Sequence, residues 1–295
     1  MKTILLSNIS TEKPGGTEMW TRLMAEYFYT NGYTVHIYTK NIGEFSKTFN
    51  GKIITNLYEL YNEYDYIICN HYICTKECNY IIGPKLQTIH GCIPKDETPY
   101  IPVKNFISIT SEIQTYLSNT YNIISNIIPN PVVVSKTPEY STKVKKVYSL
   151  CQNNELNNRI QHICEQNKIE FKCNNKFNTD TTNNTLDFIK WSDVCISIGR
   201  GIYEAMGQGK GCVVLDSRPY SELYSDGNLH INNLINSYSC NFSGRYYKIK
   251  PTDDMILSYI MDSIKYNKIL HAFANEFFRI DKIAESYINQ LTSIQ

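Results

Sequence analysis

The chain lacks a strong net charge and lacks any long apolar run, and each absence excludes a class of protein. Among its 295 residues, 29 Lys and Arg face 28 Asp and Glu, which gives a formal charge of +1. This balance supplies no long-range field that would attract nucleic acid, so we expect no nucleic-acid partner. The sequence has no stretch of about 18 apolar residues, which excludes a membrane-spanning helix. It does not indicate an oligomeric state.

Several phosphate-binding and catalytic motifs are missing as well. The sequence has no Walker A motif and no G-x-G-x-x-G after its first predicted strand, which argues against an ATPase and a dinucleotide enzyme. Without G-x-S-x-G, the nucleophile elbow of α/β hydrolases is absent. An Asp-x-Asp at a strand end is also absent. The group of His71, Cys74, Cys78 and Cys92 lacks the paired C-x-x-C spacing of a zinc site, so we predict no bound metal.

The N-terminal residues do not have the pattern of an export signal. The apolar run within Met1 to Asn8 is too short for a secretory signal and is typical of a first buried strand. The ten cysteines are then expected to be reduced thiols, several of them inside predicted strands. We therefore expect a cytoplasmic location and no disulfide framework.

What the sequence does contain is a regular alternation of short apolar runs with amphipathic helical patterns. A strand from Thr3 to Asn8 precedes a helix over residues 15–31, and the next strand covers Thr34 to Tyr38. The alternation stops in the polar stretch from Ser135 to Lys143 and restarts with a strand at Lys146. This pattern predicts an α/β protein with two Rossmann-like, doubly wound halves.

The loss of pattern also predicts where the domains divide. We expect an N-terminal domain, a short linker, a C-terminal domain and a final amphipathic helix that crosses back to the first domain. Their expected boundaries are 1–134, 135–143, 144–270 and 271–295.

The most informative segment runs from Ser197 to Asp216 and reads as a strand end, a glycine-rich turn, a helix and a second strand. The turn places Arg200 between Gly199 and Gly201 at the start of the helix, and Glu204 follows one turn later. Helix N-termini and arginine forks both bind phosphate groups, and the carboxylate can accept the hydroxyls of a ribose. The alternative is a solvated helix in which Arg200 and Glu204 only pair with each other.

Three further sets of residues follow predicted strands, where ligands bind in open α/β sheets. Gly15 and Gly16, followed by Thr17, allow a ligand to approach the start of the first helix, although an ordinary helix cap explains them equally well. His71 and His90 each follow a strand and can donate to a hydroxyl or phosphate group. A single histidine is more often structural, but two at equivalent positions favour a functional interpretation.

Together these residues resemble a known family, the retaining GT-B glycosyltransferases of family 4, which use nucleotide sugars. The matching motifs occur in the family's order and cover most of the chain. They are Pro14 to Glu18, Asn70-His71-Tyr72, Thr88 to Gly91, Ile109 to Glu112, Ile128 to Val132, and Ser192 to Val194 followed by Gly201 to Val214.

The resemblance implies two Rossmann-like domains that face a central cleft. It implies that Glu204 holds the ribose of the donor, that Gly15 and Gly16 approach the donor phosphate or the acceptor, and that His71 contacts the transferred sugar. His71 and Arg200 are the catalytic candidates under this interpretation. The donor-binding candidates are Gly15, Gly16, Gly199, Arg200, Gly201 and Glu204. The candidates for the acceptor site or the cleft are Thr17, His90, Ser111 and Asn130.

Two departures from the family pattern concern the donor site. The first glutamate of the E-x7-E motif is replaced by Ile196, because the loop before the helix is shortened. The arginine and lysine expected near the start of the second domain are absent from residues 151–154. Arg200 is our candidate for part of the missing positive charge, with Lys210 and Arg218 as weaker candidates.

We therefore predict a glycosyltransferase that moves a sugar from a nucleoside diphosphate sugar to a glycan or another acceptor, with retention of configuration. It is predicted to need no cofactor beyond this donor substrate and no metal. The alternative is a catalytically weakened GT-B protein that binds nucleotides or glycans.

Overall fold

A computed structural model describes residues 1–93, 95–174, 185–218 and 221–294, and the structural statements below refer to these residues. They divide into two compact units. Unit 1 consists of Met1–Pro131 and Ile280–Gln295, and unit 2 consists of Val132–Arg279.

Unit 1 is built on a parallel sheet in the strand order β3-β2-β1-β4-β5-β6-β7. Strand β1 contributes Ile4 and Leu6 to one apolar layer and Leu5 to the other. Burial on both faces is typical of parallel sheets and explains the apolar run in the first half of β1. The strands are β1 (Thr3–Thr11), β2 (Thr34–Ile42), β3 (Lys52–Ile54), β4 (Tyr66–Asn70), β5 (Lys85–Ile89), β6 (Phe106–Ser108) and β7 (Ser125–Ile127).

Two long helices, α1 (Gly16–Thr30) and α10 (Ile280–Ser293), cover one face of this sheet. Trp20 of α1 and Tyr287 of α10 are both fully buried, with ring centroids 5.4 Å apart in an edge-on arrangement. The opposite layer of the sheet includes buried residues of the short helix α2 (Tyr72–Glu77), and α3 (Ser111–Tyr121) connects β6 to β7. The predicted doubly wound arrangement is confirmed in this unit.

Unit 2 contains a second sheet in the order β12-β11-β10-β8-β9. Helices α5, α6 and α9 contribute to the apolar layer on one face, and α4 and α8 to the layer on the other. The strands are β8 (Lys146–Ser149), β9 (Glu170–Cys173), β10 (Val194–Ser197), β11 (Gly211–Arg218) and β12 (Ser221–Asn228). The helices are α4 (Asn154–Gln166), α5 (Thr185–Trp191), α6 (Arg200–Gly207), α7 (Leu234–Ser239), α8 (Asp253–Ser263) and α9 (Asn267–Phe277).

Strand β12 differs from the predicted pattern. It pairs antiparallel with β11, whereas the sequence pattern predicted parallel strands. Antiparallel neighbours need only a short connection, so no helical pattern separates β11 from β12 in the sequence. The pairing contains register shifts between Val214 and Leu215 and between Asp216 and Arg218.

The boundaries of the units also differ from the expected ones. Residues 135–143, expected as a linker, belong to unit 2, and the crossing back to unit 1 lies after Arg279 rather than after residue 270. Phe278 is fully buried in the core of unit 2, and its carbonyl accepts a hydrogen bond of 2.8 Å from the Val132 N–H. Helices α9 and α10 have similar amphipathic patterns, so the sequence does not distinguish which core each one covers.

Tyr287 tests the contribution of α10 to the stability of unit 1. Tyr287→Ala should lower the free energy of unfolding by about 3–5 kcal/mol, because it removes a fully buried ring from the core. Urea unfolding followed by Trp20 fluorescence, in a Trp191→Phe background, measures this value. The exposed residue Asn289 on the same helix provides a control, Asn289→Ala, with an expected change within about 0.5 kcal/mol. Equal effects of the two substitutions would contradict the packing of α10.

Candidate functional site

Three neighbouring strands of unit 1 bring the predicted residues to one edge of the sheet. Strands β1, β4 and β5 are adjacent and parallel, so their carboxyl ends lie side by side. Gly15 lies beyond the end of β1, His71 directly follows β4, and His90 directly follows β5. Gly15 also directly precedes helix α1, and His71 directly precedes helix α2.

His71 is held in an unusual backbone conformation at this edge. Its φ of 63° lies in the left-handed region, which non-glycine residues rarely adopt. The side chain is 8% exposed, and Nδ1 accepts a hydrogen bond of 3.2 Å from the Ile9 N–H. Burial lowers the pKa of His71 to about 4, so the imidazole is neutral at pH 7. With Nδ1 accepting, the proton is assigned to Nε2.

Glu97 lies against His71 and was not predicted from the sequence. Its Oε1 is 3.6 Å from His71 Nε2, and its Oε2 accepts a hydrogen bond of 2.8 Å from the His90 N–H. The side chain is 8% exposed, and burial raises its pKa to about 7. Because burial penalises the charged forms of both groups, we interpret the contact with His71 as a polar pair rather than a salt bridge.

Glu97 is difficult to find in the sequence because it lies in an irregular loop. The loop follows β5 and contains a single 3-10 turn at residues 95–97. No periodicity marks the position, and a single acidic residue in a polar loop is usually solvated. The only available signal is that it follows His90 by seven residues.

The His90 side chain is anchored to the same group of residues. Its Nε2 lies 2.9 Å from Oδ1 of Asn70, the fully buried last residue of β4. The ring also packs edge-on against Trp20, with centroids 5.5 Å apart. The structure therefore brings His71 and His90 together, and Glu97 connects them.

The start of α1 is open to ligands. Gly15 is the N-cap, and no side chain caps this helix, so Thr17 lies within the first turn rather than at the cap. A methyl group on Gly16 would meet nothing within 4 Å, whereas one on Gly15 would lie 2.3 Å from the Glu18 carboxylate. Space at Gly16 is compatible with the predicted approach of a ligand.

Two other predicted residues of unit 1 lie farther along the sheet. Ser111 is the first residue of α3, which follows β6, and it is half-buried. Asn130 is only 7% exposed and lies after β7, close to the end of this part of unit 1.

Unit 2 places its predicted residues at the carboxyl end of β10. Gly199 has φ of 54° and ψ of −129°, a conformation that favours glycine, and its N–H donates to the Phe242 carbonyl at 3.0 Å. Gly201 has a different role, since a Cβ there would lie 2.3 Å from Ser197 Oγ and 2.7 Å from a methyl group of Leu150. The two glycines thus form the turn and allow α6 to pack closely on the sheet.

Arg200 and Glu204 form an ion pair in the first turns of α6. Arg200 Nε donates to Glu204 Oε1 at 2.8 Å, and the two side chains are 11% and 13% exposed. The pairing is the one expected from their i, i+4 spacing. The helix is not solvated at this position, however, so the pair carries charge into a mostly buried site.

The end of β11 contributes a second arginine to this edge. The Asp216 carboxylate accepts hydrogen bonds from the Gln152 N–H, at 3.1 Å, and from Arg218 Nε. Gln152 belongs to the loop after β8, so Asp216 ties this loop to the end of β11. Lys210 precedes β11, at the opposite edge of the sheet, and donates to the Lys190 carbonyl, so it does not contribute here.

No group of three or more His, Cys, Asp and Glu suited to a metal ion occurs among residues 1–93, 95–174, 185–218 and 221–294. Cys74 and Cys78 are fully buried, and burial contributes to raising the pKa of both thiols. In the same part of the chain, no helix is long and apolar enough to cross a membrane.

Comparison with known proteins identifies the fold. No family model and no curated protein matches the sequence. Among solved structures, a glycosyltransferase from Rickettsia africae matches with a TM-score of 0.61 at 15% identity, covering 99% of this chain and 98% of that one. TarM matches with a TM-score of 0.62 at 9% sequence identity, and the match covers 99% of both chains. An α-glucosyltransferase in complex with UDP matches with a TM-score of 0.56 at 10% identity, covering 99% of this chain and 100% of that one. The chain has the GT-B fold.

The buried carboxyl group of Glu97 predicts a pH-dependent stability. Between pH 4.5, its ordinary pKa, and about 7, folded Glu97 keeps its proton while the unfolded chain loses it. Its contribution to stability therefore falls as the pH rises through this window, by at most about 1.4 kcal/mol per pH unit. The lowered pKa of His71 acts in the opposite direction between about 4 and 6.5.

Glu97→Gln removes the first of these two effects. The stability of the variant relative to the wild type should rise from pH 5 to pH 7 and then level off. Urea unfolding at pH 5, 6, 7 and 8, followed by Trp20 fluorescence in the Trp191→Phe background, measures the difference. A pH-independent difference would show that Glu97 titrates normally in the folded protein.

Proposed function

We propose that the chain is a glycosyltransferase that moves a sugar from a nucleoside diphosphate sugar to a glycan or another acceptor. The observation that carries the proposal is the paired Arg200 and Glu204 at the start of α6, at the carboxyl edge of the sheet. A cation for a diphosphate and a carboxylate for a ribose lie within one helical turn of each other. The GT-B fold and the UDP held by one similar glucosyltransferase support this assignment.

In this proposal, the donor nucleotide binds at the start of α6. The first N–H groups of the helix and the Arg200 guanidinium meet the diphosphate, because both favour negative charge. Glu204 accepts the hydrogen bond from Arg200 at Oε1. Its Oε2 accepts hydrogen bonds from the ribose hydroxyls. Gly199 keeps the turn compact, and Gly201 allows the helix to approach β10 closely.

Sugar transfer breaks the bond between the anomeric carbon and the diphosphate oxygen, and the electron pair leaves with the diphosphate. Negative charge therefore builds on the leaving group, and its stabilisation is the main task of the site. Arg200 and the helix N–H groups perform this task in our proposal, so no metal cofactor is needed. We also propose that configuration is retained, on the basis of the family resemblance.

The residues of unit 1 are assigned to the sugar and the acceptor. His71 contacts the transferred sugar, and the open N-terminus of α1 at Gly16 receives a phosphate or hydroxyl group. Thr17, His90 and Ser111 are acceptor-side candidates. Asn130 is a weaker candidate because its side chain is almost fully buried.

A second candidate function is that of a nucleotide- or glycan-binding protein without turnover. The position of the family's first glutamate is Ile196, which is fully buried within β10 and offers no polar group. The loop after β8 offers the Gln152 N–H to Asp216 rather than a cationic side chain to a ligand. These two features favour a weakened donor site.

Release of nucleoside diphosphate separates the two functions. The purified chain is incubated with UDP-, GDP- and dTDP-sugars and a panel of glycan acceptors, with and without EDTA. We expect release with at least one donor, unchanged by EDTA, and a glycosylated product that keeps the donor's configuration. Binding without release would favour the second function, and release abolished by EDTA would contradict the metal-free donor site.

Substitution of Arg200 tests the donor site directly. Arg200→Ala should weaken the binding of the active nucleotide sugar by about ten- to a hundredfold, because charge-assisted hydrogen bonds to the diphosphate are lost. Arg200→Lys retains a positive charge but not the planar fork. Its affinity for the nucleotide sugar should therefore lie between those of the wild type and Arg200→Ala.

Isothermal titration calorimetry measures these affinities. Arg218→Ala tests the second arginine at this edge, and Arg159→Ala provides a matched control on α4, where Arg159 pairs with Asp253. Unchanged affinity of Arg200→Ala would remove Arg200 from the donor site. A loss only in Arg218→Ala would assign the diphosphate to the end of β11.

A further inference from the structure

His71 Nε2 and Glu97 Oε1 lie beside each other without a direct hydrogen bond. The distance of 3.6 Å between His71 Nε2 and Glu97 Oε1 is too long for a direct N–H···O hydrogen bond. An oxygen atom placed about 2.8 Å from both atoms would make two good hydrogen bonds. One hydroxyl oxygen beside the pair could therefore contact both atoms.

The other polar atoms of the two side chains already have partners. Nδ1 of His71 accepts from the Ile9 N–H, and Oε2 of Glu97 accepts from the His90 N–H. What remains is one donor, Nε2–H, beside one acceptor, Oε1. A hydroxyl group accepts and donates at the same oxygen, so its chemistry matches this pair.

The backbone of His71 supports a ligand-binding role. Its left-handed φ of 63° costs free energy for a residue with a Cβ, and such strain persists where the surroundings enforce it. The Thr75 side chain and main chain both donate to the His71 carbonyl, at 2.7 and 3.1 Å. These bonds fix the strained residue, so the ring is kept in place before a ligand arrives.

We propose that Glu97 is a binding residue for a sugar, and that one sugar hydroxyl bridges His71 Nε2 and Glu97 Oε1. When Glu97 is ionised, the hydroxyl oxygen accepts from the imidazole and its proton is donated to the carboxylate. The proposal rests on the proposed function in that it takes a carbohydrate as the ligand of unit 1. It adds a residue to which the sequence motifs assigned no role.

Nuclear magnetic resonance of the full-length protein tests this proposal. Ring ¹⁵N signals of the six histidines are recorded, and His71 is assigned from its absence in His71→Gln. The probes are methyl α-glucoside, methyl α-mannoside and N-acetylglucosamine at millimolar concentrations. We expect at least one of them to shift the ring signals of His71.

At pH 8, where Glu97 is ionised, Glu97→Gln should weaken the binding of that probe by at least about tenfold, because the bridging hydroxyl loses a charged acceptor. Glu97→Asp keeps the carboxyl group but shortens the side chain, and it replaces the glutamine variant if that variant does not fold. It should also bind the probe more weakly than the wild type. Glu59→Gln, at an exposed residue of unit 1 that pairs with Lys52, is the matched control and should bind as the wild type does.

The proposal is overturned if no probe shifts His71 or if Glu97→Gln binds the probe as tightly as the wild type. The same protein preparations are assayed for release of nucleoside diphosphate. If a probe shifts the His71 signals but no nucleoside diphosphate is released, the sugar site is supported and the transferase is refuted. If nucleoside diphosphate is released but no probe shifts His71, the transferase is supported and the sugar site is refuted.

Discussion

The burial of parallel strands on both faces is the constraint on which the rest of the structure depends. In β1, Ile4 and Leu6 enter one apolar layer while Leu5 enters the other, so the middle of the strand has no surface for chemistry. Polar side chains are therefore concentrated where strands end. Helices α1, α2 and α6 begin after the carboxyl ends of strands, and their N-termini add partial positive charge there. Each unit thus presents an edge suited to hydroxyl groups and anions.

The two edges differ in charge, and burial explains the difference. In unit 1, desolvation lowers the pKa of His71 and raises that of Glu97, so the pair avoids full charge and suits a neutral hydroxyl. In unit 2, Arg200 and Glu204 form an ion pair that remains slightly exposed. In our proposal, unit 1 carries the sugar site and unit 2 carries the nucleotide site, where Arg200 meets the diphosphate.

The sequence predicts those parts of the molecule that depend on local patterns. β1, α1, β10 and α6 follow from apolar runs and helical spacing, and the placement of His71 and His90 follows from the rule that functional residues lie at strand ends. Glu97 could not be predicted, because its role depends on burial in an irregular loop. The return of the chain to unit 1 was predicted after residue 270, but it lies between α9 and α10. Both helices are amphipathic, and only tertiary packing shows that α9 belongs to the core of unit 2 and α10 to that of unit 1.

The central claim is that the start of α6 binds the diphosphate of a nucleotide sugar. A crystal structure of the full chain soaked with UDP, GDP or dTDP tests it most directly. We expect the diphosphate within hydrogen-bond distance of the first N–H groups of α6 and of the Arg200 guanidinium, with the ribose on Glu204. A nucleotide bound elsewhere, with Arg200 still paired to Glu204 and no phosphate beside them, would contradict it.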